Sequence, residues 1–322
     1  MSEANTERWL LLIHQIPPKP NYLRVKIWRR LQRLGAVAIK NSVYALPKND
    51  QSQEDFQWVL REIMEGGGDG TLCEARLIDG VTDDDIEGLF QSARAADYAQ
   101  ISEAARLITR TLPVKLKPEA HRLELEHEIV KLRRRFDEVV AIDFFGASGR
   151  EAASGLISQI ESRTHGNKAR PPQTRTDREK LRGKIWVTRK GIHIDRMASA
   201  WLIRRFIDEQ AKFKFVPAKG YKPLSNEIRF DMFEAEYTHE GDRCTFEVLI
   251  ERVGIDDPAL IPIAEIIHDI DLKDGKYKRR DALGIERIIG GIAMSHKDDE
   301  TRLSRGAAVF DELYEYFKRK RR

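Results

Sequence analysis

The sequence predicts an α+β protein: an N-terminal ferredoxin-like α/β sandwich with appended helices, then a mostly helical C-terminal domain with a few short strands. Three observations carry this. Apolar strand-like runs and helix-spaced runs alternate over the first 80 residues, and helical periodicity takes over from about 82 to 163. Residues 165–177 are then polar and basic and hold the pair Pro171-Pro172, the composition of a linker. At 322 residues the chain can build two cores. The expected division is 1–164, a basic linker at 165–182, and a ligand domain at 183–322.

Trp9 to Ile16 is an apolar run ended by Pro17-Pro18 and reads as a strand. Leu23, Ile27, Leu31 and Leu34 fall at helical spacing, and Gly35 stops that helix. Ala36 to Leu46 is rich in Val, Ile and Tyr and forms a second strand region with room for a hairpin. Phe56, Val59, Leu60, Ile63 and Met64 share one face of a helix over 54–65, which Gly66-Gly67-Gly68 ends; Thr71 to Ile78 is the next strand. That order is ferredoxin-like. Asp83-Asp84-Asp85 is an acidic helix start. Two or three helices follow to 163, one of them over Glu119 to Val140.

In the second half, Ile185–Val187, Phe213–Val216 and Ile228–Phe230 read as short strands. Asp195 is placed to cap a helix over Arg196–Ile207, and Asp257-Pro258 opens a helix reaching about Ile270. Residues 281–294 and 298–318 read as helices, whereas Arg243–Val253 fits either helix or strand.

The chain is 41% apolar and 34% charged, and no apolar run approaches the roughly 18–20 residues that span a bilayer. The polar, acidic start Met1-Ser2-Glu3-Ala4-Asn5 is not a secretion signal, so a cytoplasmic protein is expected. Two distant cysteines, Cys73 and Cys244, fit a reducing compartment. Net charge is only +4, yet residues 22–34 carry Arg24, Lys26, Arg29, Arg30 and Arg33 with no acid. Residues 131–135 and 318–322 are also basic. Such stripes suit a polyanion such as DNA; each is equally well a solvated helix face.

The chemistry is concentrated in three blocks: His193-Ile194-Asp195-Arg196, Thr238-His239-Glu240-Gly241-Asp242-Arg243-Cys244 and His268-Asp269-Ile270-Asp271. Leu260, Ala264, Ile267, His268 and Asp271 share one helix face, so a histidine and an aspartate join an apolar stripe. Buried polar groups need partners or a metal. One reading is a hydrogen-bonded His–Asp pair. Another is one divalent metal ion on His193, His239, Glu240, His268 and Asp271. Cys244 would be a soft ligand or reductant, though buried cysteines are usually inert. Neither His-Glu-x-x-His nor paired Cys-x-x-Cys is present.

The second half resembles the C-terminal domain of the chromate-resistance family ChrB. The segments are His193–Ile207, Phe230-Asp-Met-Phe-Glu234, Thr238–Glu247 and Ile263–Asp274. The first half is similar to the ChrB N-terminal domain, so the resemblance covers nearly the whole chain. In pattern the first half is also similar to the ferredoxin-like domain of PaaX-type repressors and of small CRISPR spacer-acquisition nucleases: an apolar strand, Pro, a basic helix ending in Leu-Gly, then Asn41-Ser42-Val43-Tyr44. Those nucleases carry an aspartate where this chain has His14-Gln15, which argues against nuclease chemistry here.

The ChrB resemblance implies a chromate-responsive repressor of an efflux operon, acting on operator DNA, with a homodimer expected. Arg189, Arg196 and His239 are then the expected chromate ligands, since guanidinium forks suit tetrahedral oxyanions. The alternative is a metal-dependent hydrolase or redox enzyme using the His/Asp/Glu set.

Overall fold

The computed structural model describes residues 8–19, 21–111, 119–164, 178–217 and 220–319. Two compact units emerge: residues 1–98 with 137–148, and residues 99–136 with 149–322. Of the expected linker, residues 165–177 lie outside the described residues, as do 320–322 of the basic tail. No described helix is long and apolar enough to cross a membrane.

The first unit is a four-stranded antiparallel sheet in the order β2-β3-β1-β4. Its strands are β1 (Trp9–Gln15), β2 (Val37–Lys40), β3 (Val43–Pro47) and β4 (Asp69–Ala75), with helices α1 (Asn21–Arg33) and α2 (Asp50–Glu65). This is the ferredoxin-like order, and the expected second strand region is a hairpin turning at Asn41-Ser42. The sheet buries Trp9, Leu10, Leu12 and Leu46 with Leu23, Ile27 and Leu31 of α1 and Phe56, Val59 and Ile63 of α2. Helix α2 starts earlier than the apolar periodicity indicates, because the Asn49 side chain accepts from the Ser52 amide at 2.8 Å. Met64, expected on its buried face, is 57% exposed. Gly35 must be glycine: its φ is +72°, and a Cβ there would fall 2.7 Å from Ile142 Cβ.

Helices α3 (Asp83–Thr111) and α4 (Glu119–Ala141) each contribute residues to both units. The second unit continues with α5 (Arg150–Thr164) and a three-stranded parallel sheet of β5 (Ile185–Arg189), β6 (Lys212–Val216) and β7 (Glu227–Arg229), with β5 central. Helices α6 (Ile194–Leu202), α7 (Thr245–Val253), α8 (Leu260–Leu272), α9 (Ala282–Ser295) and α10 (Asp299–Arg319) complete it. Past Leu202, α6 widens into a π-helical turn over Ile203–Ile207. The core gathers Trp186, Trp201, Phe230, Phe246, Ile263, Ile267 and Phe310.

Because Phe56 is fully buried, Phe56→Ala is expected to destabilise the first unit by about 3–5 kcal/mol. Met64→Ala should change stability by less than about 0.5 kcal/mol. Denaturant unfolding of both variants checks the difference.

Candidate functional site

The parallel sheet fixes the site. In open parallel sheets, ligands bind beyond the carboxyl ends of the strands. Here β5 ends at Arg189, the chain turns into α6 with Asp195 and Arg196 in its first turn, and β7 leads to Asp231. The loop before α7 supplies His239, and the last turn of α8 supplies Asp271.

Asp195 does not cap its own helix. His193 stands at the N-cap of α6 in extended backbone and makes no side-chain cap bond. The Asp195 carboxylate instead caps the neighbouring helix α7, accepting from the amides of Thr245 at 2.9 Å and Phe246 at 3.0 Å. Ser199 donates to it from one turn further along α6, at 3.3 Å. Tertiary packing has displaced the local cap: Asp195 answers the free amides of α7 rather than those of its own helix. Burial drives the Asp195 pKa well above the ordinary carboxylate range, and the charges of Asp231 and Asp271 add to it.

His239 stands among three carboxylates. Its Nε2 is 2.7 Å from Asp271 Oδ2 and 4.0 Å from Asp195 Oδ2. Its Nδ1 faces Thr245 Oγ1 at 3.4 Å and Asp231 Oδ1 at 3.6 Å. Burial alone would depress its pKa, but the Asp271 bond and the surrounding carboxylates lift it to about 10. Burial would raise Asp271, and the same bond to His239 holds it below the usual range.

Asp231 adopts a left-handed backbone, φ 43°, a strained conformation held by several bonds. Thr245 Oγ1 donates to its Oδ1 at 3.0 Å, and Arg196 Nε lies 3.2 Å from both its Oδ2 and its carbonyl oxygen. Arg189 is 3% exposed and donates through Nη2 to Glu151 Oε2 of α5 at 3.0 Å. Its Nε and Nη1 have no partner among the described residues, and neither has Glu151 Oε1.

Glu151, His239 and Glu240 line a cleft of about 1070 Å³ between α5 and the 238–243 loop. The two approach closely because α5 carries Gly155, whose added Cβ would meet the Gly241 carbonyl at 3.3 Å.

The expected residues therefore divide. Asp195, His239 and Asp271 each offer a donor atom within 4.8 Å of the others. Arg196 touches the centre through Asp231. His193 is exposed at the start of α6. Glu240 is engaged by Arg243 and Arg252. His268 points elsewhere: fully buried, it bonds Glu247 Oε2 at 2.7 Å and Asp274 Oδ2 at 3.3 Å, with Tyr277 edge-on to its ring. Cys244 is buried at the N-cap of α7, and desolvation, with Asp195 and Glu247 nearby, pushes its thiol pKa up. Sequence reasoning singled out neither Asp231 nor Glu151. Only the segment Phe230–Glu234 held a signal for the first.

Fold and site together define a two-unit α+β protein with a buried acid–histidine–arginine centre at the mouth of a small parallel sheet. Residues 24–171 match the family described as "Protein ChrB, N-terminal", and 186–317 match "ChrB, C-terminal domain". Protein ChrB of Cupriavidus metallidurans is 30% identical over 321 residues, spanning 96% of this chain and 95% of that protein. No solved structure matches the chain. The chain belongs to the ChrB family and is thereby associated with chromate resistance.

The His268 pair makes stability depend on pH. Burial opposes protonation of His268, but the bond to Glu247 and the charge of Asp274 raise its folded pKa above 6.5. The stabilisation is thus fully present below pH 6.5 and is lost as pH rises through the raised value. The wild-type melting temperature should fall on that alkaline side, and His268→Gln should flatten the fall. Thermal melts of both proteins across pH check it.

Proposed function

We propose that the chain is a chromate-responsive transcriptional repressor of a chromate-resistance efflux operon, sensing the oxyanion in its second unit. Arg189 carries the reading. Three carboxylates, Glu151, Asp231 and Asp271, already answer the cations Arg189, Arg196 and His239. A dianion must therefore be held by donors left over, and Arg189 Nε and Nη1 are such donors. Each buried unpaired donor costs about 1–3 kcal/mol, which an accepting oxyanion would relieve. A guanidinium N–H is also a charge-assisted donor suited to an oxyanion oxygen.

Helix α1 supports the DNA side of the proposal. Arg24, Arg29 and Arg33 are exposed beside Trp28, which is 52% exposed. Lys26 and Arg30 are engaged by Glu62 of α2 and are the weaker candidates for phosphate contact. Chromate can release DNA only by binding one conformational state more tightly than the other.

In a gel shift with the chain's own upstream DNA, chromate and not sulfate should release the complex. Arg189→Lys keeps a cation for Glu151 but removes the fork, so its complex should persist in chromate. A chromate response equal to wild type in this variant would overturn the assignment. Replacing Arg24, Arg29 and Arg33 together with Ala should lower the slope of log K against log salt by about 3 if all three contact phosphates. The cluster of Asp195, His239 and Asp271 favours a second reading, a metal-dependent enzyme. In that case His239→Ala would abolish turnover and leave DNA release unchanged.

A further inference from the structure

We propose that Asp195, His239 and Asp271 form a binding site for one divalent first-row metal ion, with Asp231 and Thr245 as its supporting shell. The ligand atoms are His239 Nε2 and one carboxylate oxygen from each aspartate, all within 4.8 Å of one another. Ligand bonds of about 2.1 Å place neighbouring donors about 3.0–3.4 Å apart. The observed separations of 2.7 Å to Asp271 and 4.0 Å to Asp195 bracket that spacing. Small side-chain rotations would centre an ion among the three.

Burial and charge strengthen the case. Asp195 is 2% exposed, and among the described residues its only cationic neighbour is His239, 4.0 Å away. Asp231 has Arg196, but among the described residues no arginine or lysine pairs with Asp195. Buried carboxylates are ordinarily paired or coordinate metal. Glu151 Oε1, of a residue on the wall of the adjoining cleft, is a further buried acceptor with no partner among the described residues.

The supporting shell is that of a metal-bound histidine. Such an imidazole turns its second nitrogen to a carboxylate or hydroxyl that fixes tautomer and ring orientation. Here Nδ1 faces Thr245 Oγ1, and that hydroxyl donates onward to Asp231. Asp195 is oriented by two backbone amides and Ser199. Three ligands from α6, the pre-α7 loop and α8 leave positions for water or an anion.

The donor set selects the ion. One imidazole and two carboxylates suit Mn²⁺, Fe²⁺ or Zn²⁺; the absence of a thiolate from the three converging donors disfavours soft ions such as Cu(I). A metal here stands on this geometry and does not require the chromate reading.

The test is titration of the full-length, chelator-stripped chain with Mn²⁺, followed by electron paramagnetic resonance of the free ion, and with Zn²⁺ by calorimetry, both without chromate. One ion per chain is expected. Asp271→Asn and Asp195→Asn should each weaken binding at least tenfold, and Thr245→Val, which touches no ion, by roughly 10–100-fold. Glu240→Gln, an acid of the same loop outside the cluster, should bind as wild type. Circular dichroism confirms that each variant is folded. Should a ligand variant be unfolded, the folded Thr245→Val protein and a change in the visible spectrum of bound Co²⁺ carry the test. No stoichiometric ion, or affinity unchanged in the folded variants, overturns the site. Because chromate is absent, failure here leaves the Arg189 reading to its own experiment.

Discussion

The carboxylate of Asp195 is the contact on which the site depends. It lies in the first turn of α6 but satisfies the amides that open α7. Those amides would otherwise be orphan donors in a buried setting, since residues 245 and 246 are fully buried. A carboxyl oxygen at a helix N-terminus satisfies amides that have no partner within the helix. By tying α6 to α7 it fixes the loop that ends at Cys244, and with it His239. The cap and the candidate ligand are thus the same side chain.

This arrangement follows from the sheet. Parallel strands β5 and β7 run side by side, with Ile185, Trp186 and Val187 in register with Glu227, Ile228 and Arg229. Both strands therefore leave the sheet at the same end, β5 at Arg189 and β7 toward Asp231. Trp186 and Phe230 pack as a T-shaped pair, anchoring the two strands in the core. The left-handed Asp231 is tolerated because Thr245 and Arg196 hold it from two sides. Thr245 is the hinge of this small network: its amide serves Asp195, and its hydroxyl serves Asp231 and faces His239.

Legibility from the sequence tracks how local each determinant is. Helices α9 and α10, read as 281–294 and 298–318, fall at Ala282–Ser295 and Asp299–Arg319, since amphipathic spacing and an acidic start are local signals. The ferredoxin-like order was likewise legible because Pro17-Pro18, Gly35 and Gly66-Gly67-Gly68 separate its strands from its helices. In the second unit all three strands were read but their parallel pairing was not, because β5 and β7 meet across some forty residues of chain. The histidine blocks announced a centre, and His239 with Asp271 is its closest pair. His268 and Asp271, three residues apart on α8, looked like partners but belong to separate clusters, because α7 supplies Glu247 to one and the pre-α7 loop supplies His239 to the other. Spacing defines a helix face; it does not say what packs against either edge of it.

Charge balance ties the two proposals together. A centre with Asp195, Asp231 and Asp271 around one imidazole repels an incoming dianion unless positive charge is in excess where it lands. Arg189, its charge matched by Glu151, offers hydrogen-bond donors rather than excess charge, since two of its nitrogens have no partner among the described residues. A divalent ion on the three converging donors would provide that positive charge, turning the carboxylates from repulsive neighbours into ligands. The open coordination positions of such an ion could then be taken by an oxyanion oxygen. Sulfate and chromate share charge and shape, so guanidinium hydrogen bonds alone discriminate weakly between them. A metal–oxygen bond depends on the anion's basicity and polarisability as well as on its outline. On this argument, the acid–histidine cluster is where selectivity for one tetrahedral dianion over the other would have to arise, and Arg189 is where affinity common to both would reside.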